Sequence, residues 1–344
     1  MNFPQKKPVQ RVRHHSVNPG GNSHTDFIRN EPVGFSLWYS RRTLLRGSAL
    51  PYVILLGFFY GSSLVASRFS VGQYDPRTYI ALRLLLASAA HLVIYGLMRR
   101  RLPGSGQLWR YAAVLGIVGT AISMTSIVTS LKYQSSGVTS LLLTLNPAVT
   151  ILLAQIFLPD ELLTPRKALG VTVALSGAGL LFLRGGTGLA DFGRADWRGY
   201  AWAILGVLCS AGGSVFARRC MRQMDAWDVA SVRMFTAALA LLPVAWLGDG
   251  FDLSQVTWVG YAALFYAALI GTFGGMWLNF YIIKNYGATP ASQTAYVIPL
   301  VTTVLGAALL GETVTSGMLA GMAVIFVGIS LLNFRPRFPR SYFR

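Results

Sequence analysis

Charge is what this sequence has least of. Asp, Glu, Lys and Arg make up 12% of its 344 residues, about half the roughly 25% of an ordinary soluble domain. Acids are the scarcer sign, 12 against 30 bases. No carboxylate falls deep inside an apolar run, so no acidic relay for protons or sodium can be named from the sequence. There are 4 histidines, and His14, His15 and His24 all precede the first apolar run. No His, Asp or Glu cluster has ligand spacing, so nothing calls for a metal or a cofactor, and a membrane-embedded transferase has no obvious catalytic set. The 2 cysteines, Cys209 and Cys220, sit about three turns apart on and just beyond one predicted helix, too far to bridge easily, and read as free thiols.

What is present is apolar. Hydrophobic residues reach 53% and mean hydropathy is +0.50, the balance of a polytopic membrane protein. A span needs roughly 20 mostly apolar residues. Uncharged runs of that kind occupy 47–67, 84–98, 111–131, 133–159, 168–183, 199–217, 234–248, 253–283, 285–311 and 313–334. Ten helices is the simplest count, with the second and seventh completed by carrying Arg83 and Arg233. The fifth is short, and Asp252–Gln255 reads as a polar loop at the start of the eighth.

Residues 1–45 differ from everything after them, being rich in Pro, Asn, Ser, His and scattered bases with no apolar period, and are expected to be a disordered basic tail. The first long apolar run begins too late for a secretory signal and is long enough to span. The Arg-rich, acid-poor tail is also compatible with an organellar transit peptide, against which Asp26 and Glu31 argue. With the N-terminus in the cytoplasm, the clusters Arg41–Arg42, Arg99–Arg101, Arg166–Lys167, Arg218–Arg222 and Arg335–Arg344 all fall on that side. The opposite face receives only Arg68, Arg77, Lys132, Arg184, Arg194 and Arg198. That bias places both termini in the cytoplasm. The net charge of +18 therefore speaks for anchoring on anionic lipid rather than for a nucleic-acid partner. An integral protein of the cell membrane, inner or plasma, is the expectation.

The chain is duplicated. Asn146-Pro147 matches Ile298-Pro299, Pro159-Asp160-Glu161 matches Leu310-Gly311-Glu312, Gly170 and Gly177 match Gly321 and Gly328, and Arg184 matches Arg335. Upstream, Arg68, Asp75 and Arg83 recur at Arg218, Asp225 and Arg233, and Thr125, Val128 and Lys132 fall opposite Trp277, Phe280 and Lys284. A repeat at about 150 residues is a doubled domain. The first five-helix repeat covers 46–184 and the second 199–335, joined by a linker at 185–198 and followed by a short basic tail at 336–344. Because each half holds an odd number of spans, the halves must sit upside down relative to each other. The expected fold is an all-α membrane protein of ten transmembrane helices in two inverted repeats, an architecture of secondary transporters.

An apolar helix with a central proline, a short turn ending in Glu, then a helix with spaced glycines (Asn146-Pro147, Glu161, Gly170, Gly177; Pro299, Glu312, Gly321, Gly328) resembles the EamA domain of the drug/metabolite transporter superfamily. Tyr60-Gly61 and Arg83 sit where that family places an aromatic-Gly pair and an arginine. The resemblance covers about residues 50–335. It implies transport of a small molecule, since family members move amino acids, other small metabolites, sugar phosphates or nucleotide sugars. One departure is that the second copy has Ser210-Ala211 opposite Tyr60-Gly61.

Arg83 and Arg233 are the sharpest candidates for a site, because an ionised side chain inside a span is costly unless it faces the bundle interior and finds a partner. Their alternative is purely structural bonding to helix ends. His91, two turns after Arg83 on the same stripe, is a weaker candidate for a proton relay. Pro147 and Pro299 remove intrahelical hydrogen bonds and allow bending. On their faces fall Thr139, Leu143, Asn146 and Thr150, and Gln293, Tyr296, Leu300 and Thr303, two polar-bearing stripes read as the cavity wall; interhelical packing is the alternative. Phe273, Trp277, Tyr281 and Lys284 form a third stripe, for ligand contact or an interfacial aromatic belt. Glu161 and Glu312 are expected to cap the following helix or pair with a local arginine. Gly57–Gly61, Gly271–Gly275 and Gly317–Gly321 permit close helix approach, within one chain or in a homodimer. The leading functional expectation is a carrier of small polar metabolites, amino acids first. A non-transporting scaffold or regulator using the basic tail stays open beside it.

Overall fold

A computed structural model of the chain describes residues 48–99, 103–158, 163–184, 187–189, 196–249 and 251–333. Glu161, Arg335, both tails and most of the linker lie outside them. Among the described residues there are helices and turns and no strand. We number the helices α1 (Leu50–Ser70), α2 (Pro76–Leu97), α3 (Gly106–Ser130), α4 (Ser136–Phe157), α5 (Pro165–Leu183), α6 (Trp197–Cys220), α7 (Ala226–Gly248), α8 (Trp258–Tyr286), α9 (Ala288–Leu310) and α10 (Ser316–Asn333). Nine of them are long and apolar enough to cross a membrane, and α10 contributes the shorter apolar stretch Ser316–Leu332.

Local chemistry sets the helix starts. Asp75, Ser135, Asp196 and Thr257 each accept from a backbone N–H in the first turn of the adjoining helix, and Pro76 and Pro165 stand where a missing N–H costs nothing. Asp252 likewise accepts from Ser254 N–H at 2.9 Å, in the polar loop before α8. The outer surface is apolar, with Leu97, Leu247 and Val304 all exposed, as a lipid-facing surface requires.

The packing repeats itself under exchange of the halves. α1 packs on α9 as α6 packs on α4; α1 meets α8 as α6 meets α3; α2 meets α8 as α7 meets α3; α2 packs on α7 and α5 on α10. Swapping α1–α5 for α6–α10 leaves this set of neighbours unchanged, the signature of a pseudo-two-fold axis. Two five-span units so related run through the membrane in opposite directions.

The repeated glycines mark where that axis brings backbones together. A Cβ on Gly177 would lie 2.8 Å from Ile325 N, and one on Gly328 would collide with the backbone of Ala174, so α5 and α10 touch through both. Gly57 and Gly61 admit Val297 and Val301 of α9, Gly275 admits the ring of Tyr60, and Gly321 admits Leu181. The small-residue spacings are thus consumed by contacts inside one chain.

Two features depart from ten regular helices. α3 contains a π-helical segment at Ile117–Ile122 and α8 one at Ala267–Gly274, ending at repeat-equivalent positions. In each, a threonine hydroxyl bonds the carbonyl five residues back: Thr120 to Leu115 at 3.4 Å and Thr272 to Ala267 at 3.1 Å. The second feature is a break in α4 at Thr144 and Leu145, which separates Ser136–Leu143 from Asn146–Phe157. α9 carries Pro299 yet runs unbroken.

Candidate functional site

A cavity of about 340 Å³ lies between the halves, at the small end of ligand-pocket volumes. Its centre is lined by repeat-mates: Tyr60 and Ser210, Leu143 and Ala295, Asn146 and Ile298. The pseudo-two-fold axis therefore passes through it. Leu143 and Ala295 each stand four residues before a proline, so each carbonyl lacks its usual helical donor at this point. Beyond the centre the other lining residues come from the first half alone, among them Ser63, Ser67, Arg83, Ser140 and Thr144. The cavity is off-centre, towards the end of the bundle where α1 finishes and α4 begins. None of the described residues that line it is acidic.

Arg83 is held there by three hydroxyls. Its Nε donates to Thr272 at 2.7 Å, Nη1 to Ser67 at 2.9 Å and Nη2 to Ser63 at 2.8 Å. Thr272 can accept because it sits on the π-helical segment of α8 with its own proton committed to Ala267. Ser67 likewise commits its proton to Ser63 O at 2.7 Å. Asn146, at the break in α4, donates through Nδ2 to Ser210 Oγ at 2.8 Å and accepts from Thr150 at 3.1 Å. That pair ties the break to α6 across the halves.

One turn before the lining residue Ser140, the N-terminus of α4 is held by Glu312. This buried carboxylate accepts from Ser136 N–H at 2.8 Å and from the Ser136 hydroxyl at 2.7 Å, and lies 4.0 Å from Arg68 Nε. Glu312 was expected to cap the helix following it; it caps α4 instead, since the turn after α9 folds over the N-terminus of α4 rather than onto α10. The arginine it meets, Arg68, is remote in sequence. Glu161 lies outside the described residues.

The structure brings Tyr60, Arg83 and Asn146 together in the cavity, and places the remaining candidates around it. Thr139 is buried against Gln134 and Ser130, in the first turn of α4. Pro147 and Thr150 flank Asn146 without lining the space. Pro299 and Thr303 are buried to differing degrees in α9, Thr303 facing Gly137. Gln293 is exposed, and Tyr296 packs edge-on against Phe326. Tyr281 packs on Tyr52 at 5.2 Å. Trp277 is 53% exposed on the outside of the bundle. Within the third stripe Phe273 meets His91 at 4.8 Å, while Trp277 stacks on Tyr281 at 6.0 Å. Three residues with no distinguishing mark in the sequence, Ser63, Ser67 and Thr272, hold the arginine; their signal would have been hydroxyls one helical turn apart on the helices facing it.

Residues 47–183 and 197–334 each match the EamA-like transporter family. The chain belongs to that family. The two matches coincide with the two five-helix halves. Among EamA relatives, a protein named an uncharacterized transporter, YyaM, from Bacillus subtilis is 26% identical over 298 residues, covering 84% of this chain and 95% of its own. The inner membrane transporter YedA of Escherichia coli, also uncharacterized, is 25% identical over 280 residues, covering 81% and 88%. A probable terminal-alkyne amino-acid exporter from Streptantibioticus cattleyicolor is 25% identical over 285 residues, covering 82% and 92%. One crystal structure superposes with a TM-score of 0.53 at 21% identity, covering 81% of this chain and 95% of that one, a likeness of fold. This EamA chain is an integral membrane protein.

Proposed function

We propose that this chain is a secondary carrier or facilitator that moves small zwitterionic or anionic metabolites, amino acids first, across the cell membrane by alternating access, with both termini cytoplasmic. The observation that carries the reading is the cavity on the pseudo-two-fold axis, lined by repeat-mates and an arginine with no acidic residue among the described residues of its wall. A volume of about 340 Å³ suits a small metabolite. The positive field of that guanidinium, with no carboxylate among the described residues of the wall, favours a ligand bearing its own negative charge. Inverted repeats supply the motion: exchanging the conformations of the halves closes the cavity at one end and opens it at the other. The name of the Streptantibioticus relative, an amino-acid exporter, points the same way.

The test is counterflow in liposomes holding the purified full-length chain, with a pool of labelled L-amino acids outside and the unlabelled pool inside. Saturable accumulation above that of empty liposomes is expected. Absence of accumulation for every amino acid, with folded protein in the membrane, overturns the substrate class.

A further inference from the structure

Arg83 and Arg233 occupy the same place in the two repeats, and their surroundings were built differently. At the offset that pairs Tyr60 with Ser210, Ser63 becomes Gly213 and Ser67 becomes Ala217. Both hydroxyls that hold the Nη atoms of Arg83 are therefore missing around Arg233. The third partner survives: Thr120 is the mate of Thr272 and makes the same bond to the carbonyl five residues back. No hydrogen bond joins it to Arg233, whose Nε is buried with no hydrogen-bond partner among the described residues.

The packing explains why. In the first half the side chain of Ser63 sits against Gly271, which leaves its hydroxyl turned to Arg83. In the second half the corresponding crossing is glycine on glycine: a Cβ on Gly213 would lie 2.9 Å from Gly119 Cα. The helices have closed on each other there.

Arg233 is not among the residues that line the cavity, but Tyr60, which is, lies within its field. Tyr60 lies within electrostatic reach of Arg83 as well, and makes no hydrogen bond to a described residue. Among the described residues no carboxylate pairs with Arg233, and a neutral phenol is a poor counter-charge. Arg233 is half-buried, and a guanidinium whose Nε is sealed in the bundle without a partner is costly. A bundle that satisfies one arginine with three hydroxyls, and strips two of them from its twin while leaving the third unbonded to it, has reserved the twin for a charge that is not part of the protein.

We infer that Arg233 is the anion subsite that takes the substrate's carboxylate, and that Arg83 is a structural cation locked by Ser63, Ser67 and Thr272. This rests on the reading of the cavity as the substrate site and goes further by dividing the two arginines.

Two measurements test it. The first needs no transported substrate: the purified protein is treated with phenylglyoxal, with and without acetate, and modification at each arginine is mapped by mass spectrometry. Arg233 is expected to react about tenfold faster than Arg83, the cost of first breaking charge-assisted hydrogen bonds, and to be protected by acetate. Equal reactivity, or protection at Arg83 alone, overturns the assignment. The second uses counterflow with the L-amino acid pool, competed by unlabelled amino acids or by their amides. The wild type is expected to prefer the acids by about tenfold or more, the worth of one charge-assisted bond. R233Q should lose that preference and R233K should recover part of it, whereas R83Q should lower the amount of folded protein while keeping the preference in what remains. R233Q discriminating as the wild type does overturns the inference even with transport intact. Failure of the wild type to move any amino acid overturns the proposed substrate class instead, and leaves the phenylglyoxal result to decide the anion subsite.

Discussion

Glu312 and Ser136 lie 176 positions apart and are joined by two hydrogen bonds, one to the backbone N–H and one to the hydroxyl of the serine. A carboxylate from the second half thus caps a helix of the first, where the exposed N–H groups and the helix dipole favour negative charge. Through Arg68 it also reaches the end of α1. One side chain gathers three helices.

Glu312→Ala leaves buried donors of α4 unsatisfied and Arg68 without its carboxylate. A loss on the order of 2 kcal/mol is expected, read as a lower midpoint of thermal unfolding in detergent. Glu312→Gln keeps an acceptor oxygen and should fall between. A midpoint unchanged in the alanine variant contradicts the assigned cap.

Gly328→Leu should prevent assembly of a monodisperse protein, because a side chain there meets the backbone of Ala174 and would push α10 from α5. Gly179→Leu on the same α5 helix is the control: no atom lies within 4 Å of its Cβ position, so it should purify as the wild type does. Size-exclusion profiles of the two decide the matter.

Pro147→Ala and Pro299→Ala restore a donor to the carbonyls of Leu143 and Ala295. Each is expected to raise thermal stability modestly and to slow counterflow, since a straighter helix gives the bundle less to bend. The larger slowing should come from Pro147, beside the one described break in α4. Equal effects would mean that the break plays no part in turnover.

Cysteines introduced singly at Asp225 and Asp252, in a background of Cys209→Ser and Cys220→Ser, should react with a membrane-impermeant maleimide from opposite sides of the membrane. Same-side labelling would refute the inverted arrangement.

Much of this architecture was legible in the sequence, because apolar runs and the duplication are properties of composition and spacing. Ten runs became nine long helices and the shorter α10, and Gly170, Gly177, Gly321 and Gly328 mark a real crossing. The π-helical segments were invisible: no proline or charge announces an inserted residue at Ile117–Ile122 or Ala267–Gly274, and the stripe through Phe273 and Trp277 assumed an unbroken period. Pro147 and Pro299 look alike in sequence, yet only α4 breaks, so proline permits a break without compelling one. Partners remote along the chain could not be read at all. Glu312 was paired with its neighbours, whereas its bonds reach back to Ser136. The three hydroxyls around Arg83 come from two other helices, α1 and α8, and only the folded chain brings them to one guanidinium.

The central claim is that one cavity, shared by the two halves, is reached from both sides of the membrane in turn. Ser210→Cys, in the Cys209→Ser and Cys220→Ser background, places a thiol at the centre of that cavity. In liposomes of fixed orientation, a membrane-impermeant maleimide added to either side should label it, and the L-amino acid pool should slow labelling from both. Labelling from one side only, or from neither in protein that still transports, would contradict the account.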